Sequence, residues 1–440
     1  MTVSLEKLVS LSKRRGFVFQ ASEIYGGFES TWDYGPLGAE LKRRIADAWW
    51  RDMVTAREDV VGLDSAILQA PRVWEVSGHV GGFNDPLVDC KTCKGRFRQD
   101  KLAETECPRK PSMHPGDFKE CELTEPRLFN MMFKTQVGPV EDSSSIAYLR
   151  PETAQGIFTN FLNVQQSMRM KLPFGIAQIG KSFRNEIVTG NFIFRTREFE
   201  QMEMQFFVKP GTDKEWFDYW RNERLEWVRS LGIRPEKLRL QQHTREELAH
   251  YAYDAYDIQY EFSFGWQEFE GIHNRTDYDL GAHQKRSGKK LEYFDQATNE
   301  RFVPYIVETS GGVDRLMLVL LADAYREEEV EGETRVVLGL QPQLAPTKVA
   351  VFPLVKKDGM PEVARRIFDT LRKRFPAFYD ESGSIGRRYR RQDEAGTPFC
   401  LTVDGQTLED DTVTIRDRDT LKQDRLSTAR LIEYLNEVVG

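Results

Sequence analysis

Cysteine is scarce. Five thiols in 440 residues do not make a disulfide scaffold. Also missing is any apolar run near the roughly 18 residues that suggest a membrane span. The opening stretch, MTVSLEKLVSLSKRRGF, mixes charges and has no signal-peptide core. These absences predict a cytoplasmic protein with no membrane partner. No internal repeat or low-complexity tract is present. A formal charge of −7 leaves no all-over basic coat, so any contact with nucleic acid has to be local. What remains is an ordinary globular composition, 40% hydrophobic and 30% charged. The length suits two or three domains of about 100–200 residues each.

Residues 36–53 carry Leu37, Leu41, Ile45, Ala48 and Trp49 on one face behind Pro36, which predicts an amphipathic helix. Ile157, Phe161, Val164 and Met168 predict a second helix, and Trp216, Trp220, Trp227 and Leu231 a third. These stripes read as core, not as site. Thr244 with Glu247 has capping-box spacing and predicts a fourth helix. Extended runs at 175–187, 192–208, 259–270 and 302–308 lie between the helices. Helices set around mainly antiparallel strands make the expected fold class α+β.

The stretch LGLQPQLAPTK, residues 338–348, has prolines and no periodicity, so a domain boundary is expected between 344 and 345. Beyond it the pattern predicts strands at 349–354, 377–380, 399–403 and 413–415. Helices are predicted at 361–375 and 424–438. Residues 345–440 therefore read as a small α/β domain. This tail is less acidic than the rest and clusters Arg387, Arg388, Arg390 and Arg391. Such a cluster is usually a solvated face and supports RNA contact only weakly.

Gly175 to Ser182 fits the P-loop pattern G-x-x-x-x-G-K-[ST]. A P-loop needs a strand, a flexible loop and then a helix. Here the loop positions Ile176-Ala177-Gln178-Ile179 read as strand. The extended run continues to Thr189-Gly190-Asn191, a hairpin signal, so the P-loop reading fails on context. If 192–207 is one unbulged strand, its period of two places Arg195, Arg197, Phe199, Gln201, Glu203 and Gln205 on one face. A surface strand can look like this too. With Arg184 across the hairpin, however, the array suits a ligand with a phosphate, a ring and an amine. In YIVETSGGVDRLMLVLLADAY, residues 305–325, Arg315 sits in a first helical turn, where the helix dipole disfavours a cation. Breaking a local rule marks a candidate functional residue, and a salt bridge is the bland alternative. Gly311 and Gly312 let a ligand approach the backbone, and Glu308 ends the strand.

These segments, with RPETAQGIFTNFL at 150–162, resemble the class II aminoacyl-tRNA synthetases, specifically the homodimeric glycyl type. FRNE…FRTREFEQMEM is similar to that family's motif 2 and GGVDR to its motif 3. APRVWEVSGHVGGFNDP at 70–86 is similar to motif 1, with Pro71 as the dimer-interface proline. FGWQEFEGIHNRTDYDL at 264–280 is similar to part of the ATP site. The similarity covers most of the first 344 residues, and the class I signatures HIGH and KMSKS are absent. The resemblance implies that ATP and glycine form glycyl-adenylate, and that tRNA(Gly) then takes the glycyl group. It implies a catalytic domain at 1–344, with a cysteine-containing insertion at about 88–126, and an anticodon-binding domain at 345–440.

By the same resemblance Arg184, Glu186 and Arg315 are the catalytic residues, with adenine between Phe199 and Arg315. Arg184, Asn185, Glu186, Phe194, Arg195, Thr196, Arg197, Glu198 and Phe199 would line the ATP site. So would Glu268, Phe269, Gly312, Val313, Asp314 and Arg315. Glu186 and Glu268 are expected near Mg²⁺. The glycine pocket is expected from Arg98, Glu152, Phe199, Glu200, Gln201, Met202 and Glu203, with Glu308, Thr309, Ser310, Gly311 and Gly312. Carboxylates would grip the ammonium and overlap would exclude larger amino acids, so no editing domain is expected.

The insertion holds Cys90-x-x-Cys93, then Cys107, His114 and Cys121. Cys90, Cys93, Cys107 and Cys121 could bind zinc or be reduced, unliganded thiols. Cys107 and Cys121 do not form a second knuckle. Arg98 follows the Cys-x-x-Cys closely, so the insertion could pack over the site. Two other readings stand beside the glycyl one. A class II synthetase for another amino acid is opposed by the three pocket acids. A dead, RNA-binding relative would be expected to lack Arg184, Glu186 or Arg315, and all three are present.

Overall fold

The molecule is described from a computed structural model covering residues 2–439, apart from 141, 143, 144, 188, 189, 250 and 331. Its larger unit is built on a seven-stranded sheet. The spatial order is Leu238–Gln242, Asp254–Phe262, Gly265–Thr276, Tyr305–Gly312, Glu198–Val208, Phe174–Phe183 and Val60–Gly62. Neighbours are antiparallel except for the last pair, which is parallel. The α+β expectation holds.

The strand Glu198–Val208 explains how this sheet makes both a core and a site. Its even positions, Met202, Met204, Phe206 and Val208, are apolar and enter the main hydrophobic cluster. The helices Pro36–Trp50, Asp213–Ser230 and Val313–Ala324 supply Leu41, Ile45, Trp49, Phe217, Trp220, Leu316 and Met317 to the same cluster. Fully burying one such side chain is worth about 1.5–3 kcal/mol. The odd positions Gln201, Glu203 and Gln205 point the other way and are also buried. Buried polar groups cost free energy unless they are partnered. This face is therefore where function is to be sought.

Several predicted elements change in three dimensions. The stripe through Ile157 and Phe161 forms two short helices, Ala154–Thr159 and Phe161–Ser167, broken at Asn160. The run 259–270 is a hairpin, because Gly265 takes a left-handed turn (φ +98°) between two strands. The helix expected after Thr244 is absent. Its capping bond exists, from Thr244 N to Glu247 Oε2 (2.8 Å), but the following residues form only a turn. Residues 192–194 make a 3-10 turn, so the strand starts at Glu198 and Arg195 and Arg197 lie outside it. Thr189 of the predicted hairpin turn lies outside the described residues.

The smaller unit is a five-stranded sheet ordered Ala377–Tyr379, Val349–Pro353, Phe399–Val403, Thr412–Asp417 and Gln423–Ser427. It has its own hydrophobic cluster, centred on Val351, Leu401 and Leu435. The predicted helix 424–438 begins as strand and a 3-10 turn, and the helix runs only from Leu431 to Val439. A helix that the pattern did not predict, Ile385–Ala395, contains the arginine cluster. That cluster is only partly a solvated face: Arg387 is exposed, whereas Arg388 is buried. Arg388 donates to the carbonyls of Pro353 (2.6 Å) and Leu354 (3.2 Å), and Arg391 pairs with Asp380.

The two units are joined by buried charge. Asp393, fully buried, accepts Arg335 Nε at 2.8 Å from the larger unit and both Arg416 Nη atoms at 2.9 and 3.1 Å from its own. Arg418 reaches back to the Leu340 carbonyl at 2.8 Å. Breaking such a cluster on one side costs about 3–5 kcal/mol, because the other charge stays buried without a partner. Asp393→Ala is expected to destabilise the chain by that amount in urea unfolding. A midpoint like that of the unmodified chain would show that the cluster contributes no net stability.

Candidate active site

A cavity of about 290 Å³ opens on the odd face of the Glu198–Val208 strand. At one part of its wall three carboxylates converge from three elements: Glu152 before the Ala154–Thr159 helix, Glu203, and Glu308 on the neighbouring strand. Gln205 Nε2 donates to both Glu203 Oε1 (2.8 Å) and Glu308 Oε2 (2.6 Å), and Thr153 Oγ1 donates to Glu203. Arg275, buried behind them, forks onto Asp279 at 2.7 and 2.9 Å and reaches Glu308 Oε2 at 2.9 Å. Glu152 accepts Gln155 Nε2 at 2.9 Å and faces His79 Nε2 at 3.5 Å.

Burial raises the pKa of all three acids, and their neighbours then separate them. For Glu152, burial is the largest single influence, but His79, Arg275 and Gln155 together overcome it and hold it well below the usual carboxylate range. For Glu308, burial is outweighed by Arg275 and His273, which bring it down to about 2. Glu203 has burial compounded by Glu308 and Glu152, so it is pushed well above that range. The trio therefore titrates as two ionised acids and one reluctant one.

An unfolded Glu titrates near 4.3. The depressed acids contribute stability above about pH 4.3 that is lost as pH falls toward their folded values. The raised Glu203 works in the opposite sense, favouring the fold at low pH and losing that contribution as pH rises through its folded value. Between about pH 5 and 3, the urea midpoint of the native chain is expected to fall more steeply than that of Glu308→Gln. Parallel slopes would mean that Glu308 is not ionised in the fold.

Elsewhere the wall is cationic and aromatic. Arg184 leaves the end of the Phe174–Phe183 strand. Its Nε donates to the Pro151 carbonyl at 3.0 Å, and its guanidinium lies over the rings of Phe83 (5.4 Å) and Phe199 (5.3 Å). Arg315 stacks on Phe194 at 4.5 Å and donates to the carbonyls of Phe194 and Glu268. Burial, with Arg195 and Arg184 nearby, lowers its pKa despite Glu268. Glu186 Oε2 is buried with no hydrogen-bond partner.

The cavity wall brings together Arg184, Glu186, Phe194, Arg195, Thr196, Phe199, Glu268, Phe269, Gly312, Asp314 and Arg315 from the expected ATP set. From the expected glycine set it gathers Glu152, Phe199, Gln201, Glu203, Glu308, Ser310, Gly311 and Gly312. Asn185, Arg197, Glu198, Val313, Arg98, Glu200, Met202 and Thr309 are not part of the lining. Val313 and Met202 are core, on the apolar faces of their elements. Arg197 turns outward, donating to the carbonyls of Glu186 (3.1 Å) and Glu29 (3.0 Å). Arg98 is held by Asp85 at 3.2 Å and Asp100 at 2.7 Å. Asp314 anchors the fold as well, accepting Lys42 Nζ (2.7 Å) and the Glu200 backbone N–H (2.7 Å).

Sequence reasoning missed Ile193, His243, Glu247, Ala249, Tyr251 and Asp257, which also line the cavity, and did not single out Gly271 and His273 within the 264–280 stretch likened to part of the ATP site. Two of the chain's six histidines are among them, and that scarcity was the available signal.

A zinc centre needs its donors gathered around one point. Cys90 and Cys121 Sγ are 3.6 Å apart, Cys93 N–H donates to Cys90 Sγ, and Cys107 is buried nearby in sequence. Yet among the described residues no group of three His, Cys, Asp or Glu side chains converges as a metal centre. Of the two readings, zinc ligands or unliganded thiols, the structure shows the four thiols near one another, with Cys93 and Cys121 both meeting Cys90 and Cys107 close enough to influence Cys93 and Cys121, but without the convergence of a metal centre.

Comparison with known proteins places this geometry. Residues 133–324 match the family described as tRNA synthetase class II core domain (G, H, P, S and T), and residues 348–438 match the anticodon binding domain family. A glycine–tRNA ligase of Treponema denticola is 57% identical over 98% of this chain and 96% of its own length. One from Thermobifida fusca is 54% identical over 99% and 98%, and one from Geobacillus thermodenitrificans 54% over 100% and 98%. The solved RNA binding domain of threonyl-tRNA synthetase from Cryptosporidium parvum shares the fold at a TM-score of 0.68, with 18% identity over 98% of each chain. With its catalytic-core and anticodon-domain matches and relatives this similar over nearly their whole length, the chain belongs to the glycine–tRNA ligase family of class II aminoacyl-tRNA synthetases.

Proposed function

We propose that this protein attaches glycine to tRNA(Gly) at the expense of ATP, through a glycyl-adenylate. The observation that carries the reading is the convergence of Glu152, Glu203 and Glu308, two of them held ionised, in the same cavity as Arg184 and Arg315. In the first step a glycine carboxylate oxygen attacks the ATP α-phosphorus. The bond to the β-phosphate breaks and pyrophosphate leaves. In the second, a terminal ribose hydroxyl of the tRNA attacks the glycyl carbonyl, and AMP leaves.

The acids bind the ammonium, and Arg184 stabilises the charge that develops on the phosphate. Fixed donors of this kind lower a barrier because they need no reorganisation during reaction. Adenine is proposed to lie beside Phe199 and Arg315. Glu186 Oε2 is buried without a hydrogen bond, its nearest charge being Arg195 at 3.8 Å, and fits a cation ligand, so Glu186 and Glu268 would hold Mg²⁺ together with the nucleotide's own oxygens. When bound, that ion supplies charge neutralisation along the phosphates. Discrimination by a missing methylene is worth only about 1–3 kcal/mol, but every competitor of glycine is larger and must overlap the wall.

Residues 1–344 are proposed as the catalytic domain and 345–440 as the anticodon-binding domain, supported for the latter by the family match at 348–438. A homodimer belongs to the same proposal. Leu68, Leu128, Val137 and Val140, together with Ile24 and Tyr25, leave large apolar side chains exposed, and light scattering tests it. No helix among the described residues is long and apolar enough to cross a membrane, and a cytoplasmic location is part of this proposal. The experiment for the reading as a whole is glycine-dependent ATP–pyrophosphate exchange by the purified chain. Exchange that alanine, serine or threonine drives as well as glycine does would overturn it.

A further inference from the structure

The cavity wall contains an imidazole that the chemistry above leaves without a task. His273 stands directly opposite Glu308 in the paired strands Gly265–Thr276 and Tyr305–Gly312. Glu308 Oε2 already takes Arg275 and Gln205, and Oε1 lies 2.9 Å from His273 Nδ1. That contact is close but off the line of an ideal hydrogen bond. The ring itself has little freedom. It packs over Gly271, where an added Cβ would come within 2.7 Å of His273 Cε1. Tyr251 and His243 meet it edge-on, with ring centroids 6.2 and 6.3 Å away.

We propose that His273 is a positioning residue, fixing the Glu308 carboxylate from the side opposite Arg275 so that it meets the ammonium of glycine in one orientation. The inference rests on the glycine reading above and adds a role that the sequence motifs did not include. Arg275 is itself engaged by Asp279, so it cannot turn to replace the imidazole. An isosteric donor could replace it. Asn carries its N–H₂ near the place of the imidazole Nδ1 and should keep most of the function.

The test is exchange kinetics with glycine and ATP varied separately. His273→Ala is expected to raise the KM for glycine about tenfold, the scale of taking a close polar neighbour from one oxygen of a buried carboxylate. The KM for ATP should stay within about twofold, and His273→Asn should recover most of the loss. Gly271→Ala, which displaces the ring and removes no functional group, should reproduce the glycine defect in milder form. The positioning role is rejected by an unchanged glycine KM in His273→Ala, by an Asn variant no better than Ala, or by equal rises in both KM values. Failure of the glycine reading would instead show in the unmodified chain, as exchange that does not depend on glycine.

Discussion

Replacing Arg184 with alanine is expected to lower glycine-dependent ATP–pyrophosphate exchange by about 10²-fold or more, the scale of losing one preorganised charge donor. The side chain is held at both ends. Its backbone N–H donates to the Arg197 carbonyl at 2.9 Å, and its Nε to Pro151 at 3.0 Å. With Nε occupied and aromatic rings at 5.3 and 5.4 Å, the two Nη groups remain to meet a phosphate. Alanine removes both the charge and the fork. Arg184→Lys restores the charge alone and is expected to fall between native and alanine, nearer to alanine. Circular dichroism confirms folding first. A folded alanine variant with near-native exchange would remove the ATP site from this part of the cavity.

The second large effect is expected at Glu203. Glu203→Gln should raise the KM for glycine by about 10²-fold while changing the KM for ATP little, because a neutral amide cannot pair an ammonium where the local dielectric is low. Its raised pKa adds a signature that charge pairing elsewhere would not have. Burial, Glu308 and Glu152 all favour the protonated acid in the free protein. An arriving ammonium favours the carboxylate instead, so glycine binding is expected to release a proton as Glu203 ionises. Calorimetry in two buffers of different ionisation enthalpy would show this as a buffer-dependent heat, absent from Glu203→Gln. Equal damage to both KM values would assign Glu203 to supporting the sheet. Glycine binding without proton release would mean that Glu203 is already ionised in the free protein.

The strand Glu198–Val208 was legible in the sequence because alternation survives in a linear reading. Phe199, Gln201, Glu203 and Gln205 do share a face. The same reasoning extended that strand too far, since a 3-10 turn at Phe192–Phe194 carries Arg195 and Arg197 off the ladder. Arg315 was found by its conflict with a helix dipole, which stacking on Phe194 explains. The wall from His243 to Asp257 was not found. Residues 245–247 form a turn where a helix was expected, and Asp257 belongs to a hairpin that joins the site only because its second strand pairs with the distant Tyr305–Gly312. The helix Ile385–Ala395 was missed for a different reason. A run of arginines looks solvated, and nothing local reveals that Arg388 is a buried cap on carbonyls of Pro353 and Leu354.

The even and odd faces of Glu198–Val208 carry a consequence for inheritance. Inserting or deleting one codon inside this strand would exchange its two faces at every downstream position. Met204 would face the substrate, and Glu203 would be driven among Trp49, Trp220 and Met317. Point changes at 201, 203 or 205 can alter substrate handling while leaving the even-numbered packing in place. A frame-preserving indel here has no mild outcome. Viable length variation is expected instead in the turn at 296–299, which lies outside the seven-stranded sheet and away from the cavity wall.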